Sequence, residues 1–218
     1  MVTDTDQAML DAIPEVEEIK KAVFDMYSNS ALGPDSFSGM FYKACWNIIQ
    51  ADFVKVVQYC WRRRYIPKGL NSNFLVLLPK VQGAKKSNQF TPIGLSNFSF
   101  KVFTEILYTG MRSLVCKLVS PQQVAYIQGK SIHEQIMVAS GLVNEMKKKR
   151  RGRNVGLKLD ISQAYDSVSW NFLFKVLQQY GFSSTWCEWL RILFSSANIS
   201  VMVNGGPNGF FSMQRGIK

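Results

Sequence analysis

A single carboxylate, Asp160, ends the apolar alternation in "GLKLDISQAYDSVSW", residues 156 to 170, and small polar residues and an aromatic follow it. Side chains of a strand alternate faces, so Val155, Leu157, Leu159 and Ile161 would point one way and Gly156, Lys158 and Asp160 the other. The pattern predicts a buried strand over "NVGLKLDI" with Asp160 at its open end. A helical period begins directly after it, with Trp170, Leu173, Phe174, Leu177 and Tyr180 on one face, Asp166 or Ser167 as cap and Gly181 as stop. A carboxylate in such a place can ligate a metal ion, or it can cap the next helix, and the residues alone leave both open.

Other reactive residue types are sparse. Cys45, Cys60, Cys116 and Cys187 lie far apart, show no CxxC pair and make no zinc pattern with the single His133, which predicts buried, reduced thiols. The tetrapeptide "QGKS", residues 128 to 131, suggests a phosphate-binding loop. That pattern needs a glycine five positions before Gly129, where this sequence has Val124, so the reading fails.

The positive charge is unevenly placed. Of 26 Lys and Arg and 15 Asp and Glu, residues 1–60 hold four basic and nine acidic side chains, leaving 22 basic and six acidic for residues 61–218. An excess of that size calls for a polyanionic partner, most commonly a phosphate backbone. The densest run, "KKKRRGR" from Lys147 to Arg153, suits a nuclear-localisation patch or a solvated turn between helix and strand.

The elements that must position these residues follow from periodicity. A hydrophobic content of 47% is enough for a sizeable core. Helices are predicted over 15–27, with Val16, Ile19, Val23 and Met26 on one face, over 39–65, over 96–119 and over 131–149. "NFLVLLPK" reads as a short strand stopped at Pro79 and followed by the basic loop "KVQGAKKSNQF". Trp186, Trp189, Leu190, Leu193 and Phe194 form the core face of another helix, and "NISVMVNGGPNGFFSM" reads as a hairpin. The class is α+β, mostly helical. No run of 18 uncharged apolar residues is present and the N-terminus is acidic, so the expectation is no membrane partner and an intracellular protein without a signal peptide, in nucleus or cytoplasm.

In this order the blocks resemble the reverse transcriptases of LINE-type, non-LTR retrotransposons, most closely those of plants. "SALGPDSFSGMFYKACW" resembles the segment preceding the fingers, and "NFLVLLPK" the first fingers strand with its lysine. "FTPIGLSNFSFKVFTEIL" and "QQVAYIQGKSIHEQI" are similar to the next two blocks. "LKLDISQAYDSVSW" resembles the palm motif with the first catalytic aspartate, and "SVMVNGGPNGFFSMQRGIK" the hairpin leading to the next palm motif. The resemblance implies the fingers and a partial palm of a right-hand polymerase: a helical extension over 1–60, fingers over 61–150 and an incomplete palm over 151–218. It implies RNA-templated DNA synthesis on a DNA primer from deoxynucleoside triphosphates, with two Mg2+ ions. Asp160 takes the place of the metal-bridging aspartate, and the backbone carbonyl of Ile161 that of a further metal ligand. Tyr165 takes the place of the aromatic that closes the sugar pocket against a 2′-hydroxyl. Lys80, Lys85 and Lys86 take the places of fingers lysines near the triphosphate.

Two departures shape the expectation. Thr91 stands where the family usually carries an arginine, which removes a bidentate phosphate contact. The family also continues into Gln-Gly-Asp-Pro and Tyr-x-Asp-Asp blocks, whereas this sequence stops at Lys218. Asp166 cannot replace those carboxylates: six strand residues at roughly 3.3 Å each put it ~20 Å from Asp160, against about 3.5 to 4 Å between paired metals. The expectation is a reverse transcriptase fragment that does not polymerise alone. The alternative is a non-catalytic nucleic-acid-binding remnant.

Overall fold

A computed structural model describes residues 1–125, 127, 129–148, 155–159 and 167–216. Among them are eight α-helices and four strands: α1 (Asp4–Asp11), α2 (Val16–Asp25), α3 (Gly39–Ala44), α4 (Trp46–Arg63), β1 (Ser72–Pro79), β2 (Phe90–Ser96), α5 (Phe98–Leu118), α6 (Ile132–Met146), α7 (Trp170–Gln179), α8 (Ser184–Ser195), β3 (Asn198–Val203) and β4 (Gly206–Ser212). The class is α+β, and helix outweighs strand.

One apolar core joins the two ends of the chain. Ile19 and Val23 of α2, Val57, Cys60 and Trp61 of α4, Val102, Phe103 and Ile106 of α5, and Trp186, Trp189 and Leu193 of α8 are all buried within it. Trp61 stacks on Phe103 with centroids 6.1 Å apart and meets Trp189 edge-on at 5.3 Å, so one indole couples α4, α5 and α8. The predicted 39–65 helix is broken into α3 and α4 at Cys45, whose ψ of 8° is not helical. Of the cysteines, Cys60 and Cys187 are buried, Cys45 is half-buried, and Cys116, against expectation, is exposed. Burial pushes the Cys60 and Cys187 thiols up, which keeps them protonated and inert.

The sheet order is β2-β1-β3-β4. β1 and β2 form an antiparallel hairpin from Asn73↔Ser96 to Pro79↔Phe90, and β1 runs parallel to β3 only from Ser72↔Asn198 to Leu75↔Val201. β3 and β4 turn at Asn204 and Gly205, whose φ angles of 51° and 82° fit a two-residue turn with both central residues left-handed. Pro92, which has no N–H to donate, sits in β2, an edge strand that tolerates it.

The strand predicted over "NVGLKLDI" is not formed in its described part. Val155, Leu157 and Leu159 are 80%, 83% and 88% exposed and pair with no strand. Alternation is a property of the segment, but a strand exists only when a neighbour accepts its backbone hydrogen bonds, and β1 to β4 pair with one another. α7 begins later than predicted: its N-cap is Ser169, not Ser167, while Asp166 lies outside the described residues. Gly181, with φ of 92°, ends it as expected.

Candidate nucleic-acid interface

The β1–β2 hairpin becomes an arm where β3 stops supporting it. Beyond Leu75 only the two hairpin strands remain paired, and Leu77, Leu78 and Ile93 are exposed at 38%, 50% and 41%. Lys80, Lys85 and Lys86 all lie on the tip of this arm and all are exposed. Gln89 sets the shape of the tip. Its Oε1 accepts from the backbone N–H of Lys85 at 2.8 Å and of Lys86 at 2.9 Å, its own N–H donates to the Lys86 carbonyl at 2.9 Å, and its carbonyl accepts from the Lys80 N–H at 2.8 Å. One side chain thus satisfies the turn, which leaves the lysine side chains to solvent. Among the described residues, only Lys80 makes a further side-chain contact, from Nζ to the Asn88 carbonyl at 3.4 Å. Three cations on a projecting, ordered tip can bind phosphate oxygens without first breaking an ion pair.

A buried polar clamp holds the base of the arm. Asn71 donates from Nδ2 to the Leu193 carbonyl at 2.9 Å and to Ser196 Oγ at 3.0 Å, while its carbonyl accepts from the Asn198 N–H at 3.0 Å. Asn73 donates to Asn71 Oδ1 at 3.1 Å, and Ser96 Oγ donates to Asn73 Oδ1. Asn97 reaches the Gly69 carbonyl at 2.8 Å and accepts from the Asp35 N–H at 3.0 Å. Gly33 lies against the same junction, where a Cβ would meet Asn97 N at 2.4 Å. Lys101 donates to the Ala31 carbonyl at 3.1 Å, and burial lowers its pKa, partly opposed by the charge of Asp35. The segment from Ala31 to Asp35, the start of β1 and the end of β2 are therefore locked to the C-terminal end of α8.

Sequence reasoning found the tip lysines and missed the residues that position them. Gln89, Asn71 and Asn97 look like ordinary loop and cap residues, and the only signal available was the repeated Ser-Asn-Phe at the root of each hairpin strand, residues 72–74 and 96–98. Lys130 of "QGKS" is engaged internally, donating to the carbonyls of Pro121 at 3.0 Å and Gln123 at 3.3 Å. Asp160, Ile161 and Tyr165 lie outside the described residues. Among the described residues no group of three or more His, Cys, Asp or Glu could hold a metal ion. No helix there is long and apolar enough to cross a membrane.

Comparison with known proteins adds to this geometry. The reverse transcriptase (RNA-dependent DNA polymerase) family matches residues 83–217, from the arm tip through the β3–β4 hairpin. The chain belongs to the reverse transcriptase family. This reverse transcriptase segment is also 22% identical over 219 residues to the Transposon TX1 uncharacterized 149 kDa protein of Xenopus laevis, covering 100% of this chain and 17% of that protein. It is 20% identical over 190 residues to the Retrovirus-related Pol polyprotein from type-2 retrotransposable element R2DM of Drosophila melanogaster, covering 87% of this chain and 17% of that protein. The segment thus spans 17% of the length of each of these relatives.

Proposed function

We propose that this chain forms the fingers and the first part of the palm of a non-LTR retrotransposon reverse transcriptase, an RNA-directed DNA polymerase that extends a DNA primer on an RNA template. The observation that carries the reading is the family match over 83–217, which begins on the basic arm and includes Asp160. In this reading residues 1–60 are a helical extension, 61–150 the fingers and 151–218 the palm segment. The arm lysines Lys80, Lys85 and Lys86 bind phosphate of the template or of the incoming deoxynucleoside triphosphate, and Tyr165 closes the sugar pocket. Asp160 and the carbonyl of Ile161 would hold Mg2+, which when bound would stabilise charge on the reacting phosphate.

The test is fluorescence anisotropy with a labelled RNA template and DNA primer over a salt series. The triple variant Lys80→Ala, Lys85→Ala, Lys86→Ala should flatten the slope of log affinity against log salt by about 2 to 3, one phosphate contact per lysine. An unchanged slope would remove the arm from the interface. In a chain extended to carry the family's downstream carboxylates, Asp160→Asn should abolish Mg2+-dependent incorporation of deoxynucleotides, and unchanged incorporation would sink its assignment.

A further inference from the structure

A second cationic surface lies on α4, away from the arm in sequence. Residues 55–68, "KVVQYCWRRRYIPK", carry five cations, Lys55, Arg62, Arg63, Arg64 and Lys68, and no carboxylate. The helix divides them cleanly. Val54, Val57, Cys60 and Trp61 are buried in the core, so Lys55, Val56, Tyr59, Arg62 and Arg63 fall together on the outer face. Tyr59 and Tyr65 are 56% and 51% exposed. Val56, Tyr59 and Pro67 wall an open recess of about 500 Å3 with Lys55 and Arg62 on its rim.

Two of the five cations have acidic partners: Lys55 with Asp52 at 3.6 Å and Arg64 with Glu188 at 2.9 Å. No carboxylate among the described residues pairs with Arg62, Arg63 or Lys68. The helix dipole accounts for arginines in the last turn of α4. It does not account for Lys55 or Lys68 outside that turn, nor for two solvent-facing tyrosines between them. Exposed aromatic faces interleaved with unpaired cations match a polyanion that also offers flat apolar rings, which is a nucleic acid with unpaired bases. A duplex hides its ring faces and would leave both tyrosines unused.

We propose that the outer face of α4 and the loop that follows it form a second binding surface, distinct from the arm, for an unpaired nucleic acid strand. Arg62, Arg63 and Lys68 contact its phosphates, and Tyr59 and Tyr65 stack its bases, one of them in the recess. Such a surface would hold a single-stranded stretch of the same RNA while the arm engages another part of it.

The experiment uses the 218-residue chain with the three arm lysines replaced by alanine, so that α4 is read separately, and labelled 12-nucleotide probes of unpaired RNA, unpaired DNA and duplex RNA. Tyr59→Ala with Tyr65→Ala should weaken both unpaired probes at least about thirtyfold and leave the duplex unchanged, while the phenylalanine versions bind like the parent. Arg62→Ala with Arg63→Ala should flatten the salt slope by about 1.4. Ultraviolet cross-links to unpaired RNA should map to the peptides holding Tyr59 and Tyr65. Cross-links confined to other peptides, or tyrosine variants that bind as the parent does, would overturn the proposal. Poly-glutamate competing equally against parent and tyrosine variants would overturn it too, in favour of an acidic protein partner. Unpaired RNA still bound by the chain lacking the arm lysines supports the surface, and loss of all such binding in that chain overturns it.

Discussion

Gly33 shows how narrowly a single residue can be constrained without any special dihedral angle. A Cβ there would lie 2.4 Å from Asn97 N and 2.5 Å from the Ser96 carbonyl carbon, both backbone atoms that no rotamer change can move. Gly33→Ala should lower stability by about 3 kcal/mol, read as a shift of the urea midpoint, because overpacking against backbone must displace the junction between β2 and α5. A shift under ~1 kcal/mol would show that the close approach is easily relieved. Arg64 is the converse case. It adopts φ 48°, ψ 54° at the end of α4, a conformation usually given to glycine, and uses the position to reach Glu188. Left-handed backbone costs a residue with a side chain about 1 kcal/mol, and an exposed ion pair is worth less than ~1 kcal/mol. Arg64→Gly should therefore be more stable than Arg64→Ala by about 1 kcal/mol in equilibrium unfolding. Equal stabilities would mean that the left-handed turn is unstrained.

At the scale of elements, α1 and α2 begin with acidic side chains in opposite situations. Asp6 closes a capping box: its Oδ2 accepts from the Thr3 N–H at 3.1 Å, and Thr3 Oγ1 accepts from the Asp6 N–H at 3.3 Å. That backbone bond, then the Thr3 hydroxyl, with Lys117 adding its charge, holds the Asp6 carboxyl below its ordinary value of 3.8. Glu18 is pushed above its ordinary 4.5, chiefly by burial, with the nearby Glu15 charge adding to the rise. The signs follow from linkage. The depressed Asp6 contributes stability above pH 3.8, lost as pH falls through its folded value. The raised Glu18 is a liability when ionised, and that liability disappears below pH 4.5, where folded and unfolded forms are both protonated. Asp6→Asn should lower the urea midpoint at pH 7 and Glu18→Gln should raise it. The Glu18→Gln gain should shrink toward zero when the titration is repeated at about pH 3.5, below the ordinary 4.5, whereas the Asp6→Asn loss should fade only as pH falls further, through the folded value of Asp6 below 3.8. A Glu18→Gln gain that persists in acid would assign it to packing rather than to charge.

The whole molecule leaves α6 outside its core. Ile136, Met137, Leu142 and Val143 are 55%, 74%, 62% and 53% exposed, so α6 turns large apolar side chains to solvent on more than one side. Met137→Lys with Val143→Lys should change unfolding free energy by no more than about 0.5 kcal/mol, since neither side chain is buried. The same variant should stay monodisperse in light scattering at concentrations where the parent associates. A loss of several kcal/mol would show that the face is covered in solution.

Local pattern was enough to read most elements. The 3.6-residue period in residues 15–27, 96–119 and 131–149 marks α2, α5 and α6 within a few residues, because a helix closes its hydrogen bonds on itself and needs only its own sequence. The three tip lysines were legible for a similar reason: charge on a short loop stays exposed whatever the fold. Strands depend on partners. The apolar run "NFLVLLPK" marks β1, but its parallel neighbour β3 lies more than a hundred positions away and no spacing announces the pairing. β2, with Pro92 and Gly94 inside it, carries no strand signal in its sequence. The equally regular alternation over Val155–Leu159 forms none, because among the described residues nothing takes up its backbone groups. The sequence by itself determined most of the helices, though not α1 or the break at Cys45, together with the basic tip and the family motifs. Only the tertiary structure decided that buried Asn71 and Asn97 would clamp the arm to α8, since an amide's hydrogen bonds are chosen by whatever backbone the fold brings beside it.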